Sequence, residues 1–126
     1  MKTAEELYTN PSMPCDYTPI INNFGEVILR EDEDNYQGDT HVVIKSDNKF
    51  GYLAFGWGSC SGCDRLQACD TYEDIQELMD SLYNDIKWFE SLESLKEYIN
   101  DDGIQELKYH YHTEVFTNFK NKLNNA

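Results

Sequence analysis

Three of the four cysteines fall within one stretch, Gly56-Trp57-Gly58-Ser59-Cys60-Ser61-Gly62-Cys63-Asp64-Arg65-Leu66-Gln67-Ala68-Cys69. Cys60-x-x-Cys63 sets two sulfurs one tight turn apart, a spacing at which two thiolates reach a single zinc ion. Nearby glycines let backbone amides face the sulfurs. A structural zinc takes four ligands, so Cys69 and Cys15 are the candidates to complete a Cys60, Cys63, Cys69, Cys15 set. His41, His110 or His112 can stand in for one member. Two features oppose this reading: no second Cys-x-x-Cys is present, and Asp64 stands where zinc knuckles place a glycine.

The same residues admit two other chemistries. A strand, an aromatic and a Cys-x-x-Cys opening a helix resemble the thioredoxin arrangement, in which a helix N-terminus lowers the first thiol's pKa. The chain lacks a proline after Pro19, however, so the cis-proline of that family has no counterpart, and no βαβ unit precedes the motif. The plainest alternative is structural: small cysteines pack well, and glycines at a strand-to-helix corner satisfy the backbone. In that version the Gly-Ser-Cys-Ser-Gly amides also form a small anion nest, without the lysine and spacing of a P-loop.

Other catalytic constellations are thin. His110 and His112 lie about 200° apart on a helix and cannot chelate together there. His41 lies in an apolar strand, where packing or hydrogen bonding is its expected role. Ser59 and Ser61 lack a nucleophile elbow. The acidic run Glu31-Asp32-Glu33-Asp34 fails the EF-hand pattern, because counting from Asp32 puts Tyr36 fifth, Gln37 in the glycine place and Val43 twelfth. It reads as a solvated loop and as the candidate partner-binding surface.

Charge narrows the classes of partner. Ten basic against 24 acidic residues give a formal net charge of −14, and the pI is near 4.3. Residues 1–40 and 71–126 each carry −7, whereas residues 41–70, with the cysteine stretch, are neutral. Such a surface repels phosphate backbones, which argues against direct nucleic-acid binding and toward a basic protein partner. The chain could occupy that partner's nucleic-acid groove as a mimic. An apolar fraction of 40% is enough to build a core at 126 residues, so a single domain over 1–126 is expected. Met1-Lys2-Thr3-Ala4-Glu5-Glu6 lacks a signal-peptide pattern, and no apolar run reaches bilayer length. These features predict a cytoplasmic protein, not engaged with membranes, whose cysteines are thiols or metal ligands.

The elements that must position these groups read as an α+β fold: a small antiparallel sheet packed by two to three helices. Thr3-Ala4-Glu5-Glu6 has capping-box spacing for a short helical turn. Residues up to Pro19 hold all three prolines and read as a partly extended surface segment. Ile20-Ile21, Asn22-Asn23-Phe24-Gly25 and Glu26-Val27-Ile28-Leu29-Arg30 read as strand, turn, strand. Residues 40–45 and 50–55 are the clearest strands, joined by Ser46-Asp47-Asn48-Lys49 as a hairpin and covered on at least one face. Thr71 with Asp74 caps an amphipathic helix through Ile75, Leu78, Met79, Leu82, Tyr83 and Ile86. Residues 86–90 read as a strand, and Ser91 caps a second helix with Leu92, Leu95, Tyr98 and Ile99 inward. A last helix starts near Thr113, along a stripe of Ile104, Leu107, Tyr111, Val115, Phe119 and Leu123. Residues 104–113 fit helix or strand.

Gly58-Ser59-Cys60-Ser61-Gly62-Cys63-Asp64, together with Ile86-Lys87-Trp88-Phe89, resembles loops of small acidic proteins encoded by bacteriophages and prophages, which share the SCSGCD string. The resemblance covers about a quarter of the chain. It implies a phage accessory protein in bacterial cytoplasm that binds a host or defence component, and it carries over no catalytic residue. The expected function is thus a non-enzymatic acidic binding protein without a cofactor. A zinc-stabilised domain is the alternative, and a thiol redox protein a second one.

Overall fold

A computed structural model describes residues 1–58, 64–101 and 114–126. The elements in order are α1 (Ala4–Leu7), α2 (Thr18–Phe24), β1 (Glu26–Asp32), β2 (Gly38–Ser46), β3 (Lys49–Trp57), α3 (Tyr72–Asp85), β4 (Lys87–Phe89), α4 (Leu92–Ile99) and α5 (Glu114–Asn124). The four strands form one antiparallel sheet in the order β1-β2-β3-β4. This is the expected α+β class, with five helices among the described residues where two to three were anticipated.

The central hairpin follows from its two turn residues. Asp47 and Asn48 take φ of 51° and 66°, the left-handed pair that matches the right-handed twist of the flanking strands. β2 and β3 then pair without interruption from Ser46↔Lys49 to Gly38↔Trp57, two residues beyond the expected strands at the far end. His41, Val42, Val43 and Ile44 are all fully buried, so this unbroken run means that both sheet faces are covered. On one face Val42, Ile44 and Leu53 pack with Ile20, Ile21 and Phe24 of α2 and Ile75, Leu78, Met79 and Leu82 of α3. On the other, Val43 and Tyr52 pack with Leu95 and Ile99 of α4 and Phe116, Phe119 and Leu123 of α5. One sheet therefore serves two cores.

Residues 20–21 are helical and not a strand. Asp16 accepts the Thr18 N–H at 2.9 Å and Pro19 sits in the first turn with its φ already set, so α2 starts there. Ile20, Ile21 and Phe24 then share one buried stripe. Gly25, at φ 153°, ends the helix, and a Cβ there would meet the Lys45 carbonyl oxygen at 2.6 Å. The preceding segment is likewise no loose surface strap. Tyr8 and Tyr17 are buried, and the Met13 N–H donates to the Cys69 carbonyl at 3.0 Å.

The remaining elements follow their local signals. Thr71 accepts the Asp74 N–H at 3.1 Å while Asp74 accepts the Thr71 N–H at 3.2 Å, a reciprocal cap for α3. The helix stops at Asp85, leaving Ile86 as a buried cap residue ahead of β4. Ser91 accepts the Ser94 N–H at 3.1 Å to start α4. In α5 Val115, Phe119 and Leu123 are buried as anticipated; Ile104, Leu107 and Tyr111, and the choice between helix and strand over 104–113, lie outside the described residues. No helix among the described residues is long and apolar enough to cross a membrane.

Candidate functional site

Asp64, the residue after the second cysteine of the motif, is 4% exposed and organises the corner. Its Oδ1 accepts the Tyr17 hydroxyl at 2.6 Å and the Leu66 N–H at 2.8 Å, and its Oδ2 accepts the Gly58 N–H at 3.2 Å. Gln67 Nε2 donates to the Gly58 carbonyl at 2.8 Å. Asp64 and Gln67 thereby hold together the chain on either side of residues 59–63. A buried carboxylate is tolerable only with such a set of donors. Burial first, and then the hydrogen bond to Asp64, push the Tyr17 hydroxyl pKa well up, so Tyr17 remains a donor. Nothing in the spacing of the sequence announced this role; the only local hint was an aspartate where a knuckle glycine would sit.

The four candidate metal ligands are distributed unevenly. Cys60 and Cys63 lie outside the described residues, as do His110 and His112. Cys15 is exposed and borders the same cleft as Gly58 and Asp64, so the fold brings this distant cysteine to the edge of the motif. Cys69 is buried, lines a different cleft, and donates its thiol to the Arg65 carbonyl at 3.3 Å. Burial, and then Asp74, Asp64 and Asp70, push its pKa up, opposite to what an activated thiol needs. Among the described residues no group of three His, Cys, Asp or Glu side chains is arranged to hold a metal ion. His41 is packed as expected, with Nδ1 2.7 Å from the Tyr52 hydroxyl and the Phe116 and Phe119 rings each 5.3 Å away.

The acidic run is part strand, not wholly a solvated loop. Glu31 and Asp32 are the last two residues of β1. Glu31 pairs with Lys122 of α5 at 2.6 Å, and Asp32 with Arg30 at 3.0 Å. The latter pair belongs to a cross-strand chain: Trp57 Nε1 donates to Thr40 Oγ1 at 2.9 Å, Thr40 donates to Asp32, and Arg30 also donates to Thr18 at 2.9 Å. Glu33 and Asp34 stand beyond the strand, and the Glu33 side chain lies over Gly38, where any Cβ would collide with its carboxylate.

This run forms a ridge between two clefts. One, about 430 Å³, is bounded by Cys15, Asp16, Arg30, Tyr36, Trp57 and Asp64; the other, about 450 Å³, by Glu31, Asp34, Glu114 and Asn118. Asp32, Glu33 and Asn35 line both. The side chains that build the two clefts come from the 8–17 segment, β1, the loop after it, β2, β3 and α5, which is why composition alone pointed to the ridge and missed Asp16, Tyr36, Trp57 and Glu114. In comparisons with protein-family models, curated proteins and solved structures, nothing matches this chain.

Proposed function

We propose that this is a non-enzymatic binding protein, of the phage-accessory kind and acting in bacterial cytoplasm, that engages a basic protein through the Glu31–Asp34 ridge. The observation that carries the reading is the ridge between two concave, carboxylate-lined clefts. The cations beside it, Arg30 and Lys122, are already paired with Asp32 and Glu31. Among the described residues no cation pairs with Glu33, Asp34 or Glu114, and these three project negative charge over concave surface, the arrangement that steers and orients a positive partner. Where the partner binds nucleic acid, the ridge competes with phosphates for the same groove. Affinity capture from bacterial lysate tests this with wild type and the E33Q/D34N/E114Q variant. Expected are a captured protein released by about 0.5 M salt, at which charges are screened within a few ångströms, displacement by added DNA, and no capture by the variant. Capture that is indifferent to both salt and the variant refutes the proposal.

A second reading is supported by the position of Cys15 beside Gly58 and Asp64: a zinc ion held by Cys15, Cys60 and Cys63, with Cys69 or a histidine as the fourth ligand. Zinc in that site would add a crosslink between the 8–17 segment and the motif. Metal analysis of protein purified without added zinc decides it. About one equivalent that falls in Cys15→Ser supports a bound ion, and less than roughly 0.2 equivalents, the contamination level, removes it.

A further inference from the structure

The 430 Å³ cleft differs from its neighbour in having aromatic walls, and this specifies what it receives. Its volume lies within the range of ligand-binding clefts, roughly 300–1,000 Å³. Trp57 is half-buried, packed on the first core with its indole N–H committed to Thr40, so the ring adds aromatic surface and not a donor to the cleft. Tyr36 is 82% exposed at the rim. Its ring is accessible to a partner that enters the cleft.

The cleft's charges fall into three groups. Arg30 and Asp32 neutralise each other at 3.0 Å. Asp64 is spent on the donors of Tyr17, Leu66 and Gly58. Asp16 and Glu33 remain; Asp16 gives one oxygen to the Thr18 N–H at 2.9 Å, and Thr18 first, with Arg30 adding to it, lowers its pKa. Two carboxylates beside two aromatic rings disfavour an anion and favour a flat, weakly hydrated cation, which stacks on a ring and bonds carboxylates edge-on. Ammonium, a compact and strongly hydrated charge, uses the rings less well.

We propose that this cleft seats an arginine side chain of the basic partner, its guanidinium between Trp57 and Tyr36 and bonded to Asp16 and Glu33. The inference rests on the proposed binding function and adds the chemistry of the contact.

The test is an NMR titration of the full chain with acetyl-Gly-Arg-Gly-amide, with the citrulline and lysine peptides as controls. The two indole N–H signals, Trp57 and Trp88, are assigned with Trp88→Phe. Expected is a saturable shift of the Trp57 signal by the arginine peptide, at least tenfold weaker binding of the citrulline peptide and about threefold weaker binding of the lysine peptide. Tyr36→Ala and Glu33→Gln, both outside the cores, should each weaken the arginine peptide about three- to tenfold. If the Trp57 signal does not move, or if arginine and citrulline bind alike, the cleft inference is overturned. Should lysate capture persist and depend on E33Q/D34N/E114Q while Tyr36→Ala changes nothing, the ridge stands and the arginine seat falls. Loss of both rejects the binding function as well.

Discussion

Removing the Asp64 carboxylate is the sharpest perturbation of the corner. Asp64→Ala strands the Tyr17 hydroxyl and the Gly58 N–H, bonded to it at 2.6 and 3.2 Å, and leaves the Leu66 N–H, bonded to it at 2.8 Å, only its longer contact with the Tyr17 hydroxyl at 3.3 Å. Each unsatisfied buried donor costs about 1–3 kcal/mol, so two stranded donors and one weakened should lose about 3–5 kcal/mol. That is a large share of the roughly 5–15 kcal/mol typical of a domain. One opposing effect exists. Deleting one acidic group from a chain of net charge −14 relieves repulsion; between distant, screened charges this amounts to less than about 1 kcal/mol. The sign therefore stays destabilising. Tyr17→Phe removes only one bond to the carboxylate and should cost about 1.5–2 kcal/mol. Because both changes break the same contact, a double-mutant cycle should show about 1–2 kcal/mol of coupling. Urea unfolding followed by circular dichroism measures all four proteins, and the Tm of Asp64→Ala should fall by roughly 10–20 °C. A loss below about 1 kcal/mol for Asp64→Ala, or additive single changes, would refute the view that Asp64 fastens the corner.

Three further outcomes follow from other parts of the molecule. Gly51→Ala puts a Cβ 2.6 Å from Ile86 Cγ2 and 2.9 Å from the Trp88 ring, and should cost about 1–3 kcal/mol by overpacking, with a changed near-ultraviolet signal from Trp88. The Asp74 carboxyl is held below its ordinary 3.8, chiefly by the Asp70 N–H. The stability it adds is therefore present above pH 3.8 and lost as pH falls through the lower folded value. The gap in urea midpoint between wild type and Asp74→Ala should narrow toward zero as pH falls through the folded value, and a gap unchanged across the acid range contradicts the cap. Tyr8 and Tyr17 are both raised above 10, first by burial and next by Asp16 and Asp64 respectively. Their contribution is complete below pH 10 and is lost above it, so absorbance at about 295 nm should show at least two of the nine tyrosines ionising only together with alkaline unfolding.

The legible parts of the fold were those whose cause lies within a few residues. Thr71 and Asp74, or Ser91 and Ser94, cap their helices across three positions, and Asp47-Asn48 turns the hairpin by itself. Residues 18–24 were misread because Ile20-Ile21 suits a strand, whereas Pro19 in the first turn, the Asp16 carboxylate accepting the Thr18 N–H and the buried stripe reaching Phe24 make it a helix. Burial on both sheet faces was only half visible in the apolar run of β2; the second core needed α4 and α5 to be seen against Val43 and Tyr52.

The same divide runs through the candidate site. Sequence alone determined the acidity, the cysteine spacing and the ridge as a run of carboxylates, since each is a matter of residue type or near neighbours. Tertiary structure decided which of these act together. Tyr17 meets Asp64 across 47 positions, Lys122 meets Glu31 across 91, and Trp57 reaches Thr40 across 17. Cys15 comes to the edge of the motif because Tyr17 and Met13 pin its segment to the body. Cys69, although only six positions from Cys63, turns its thiol into its own chain turn. Local sequence sets propensity and charge, but a cleft is made by elements meeting at long range. Those meetings depend on the shared burial of two cores, which no short window of residues encodes.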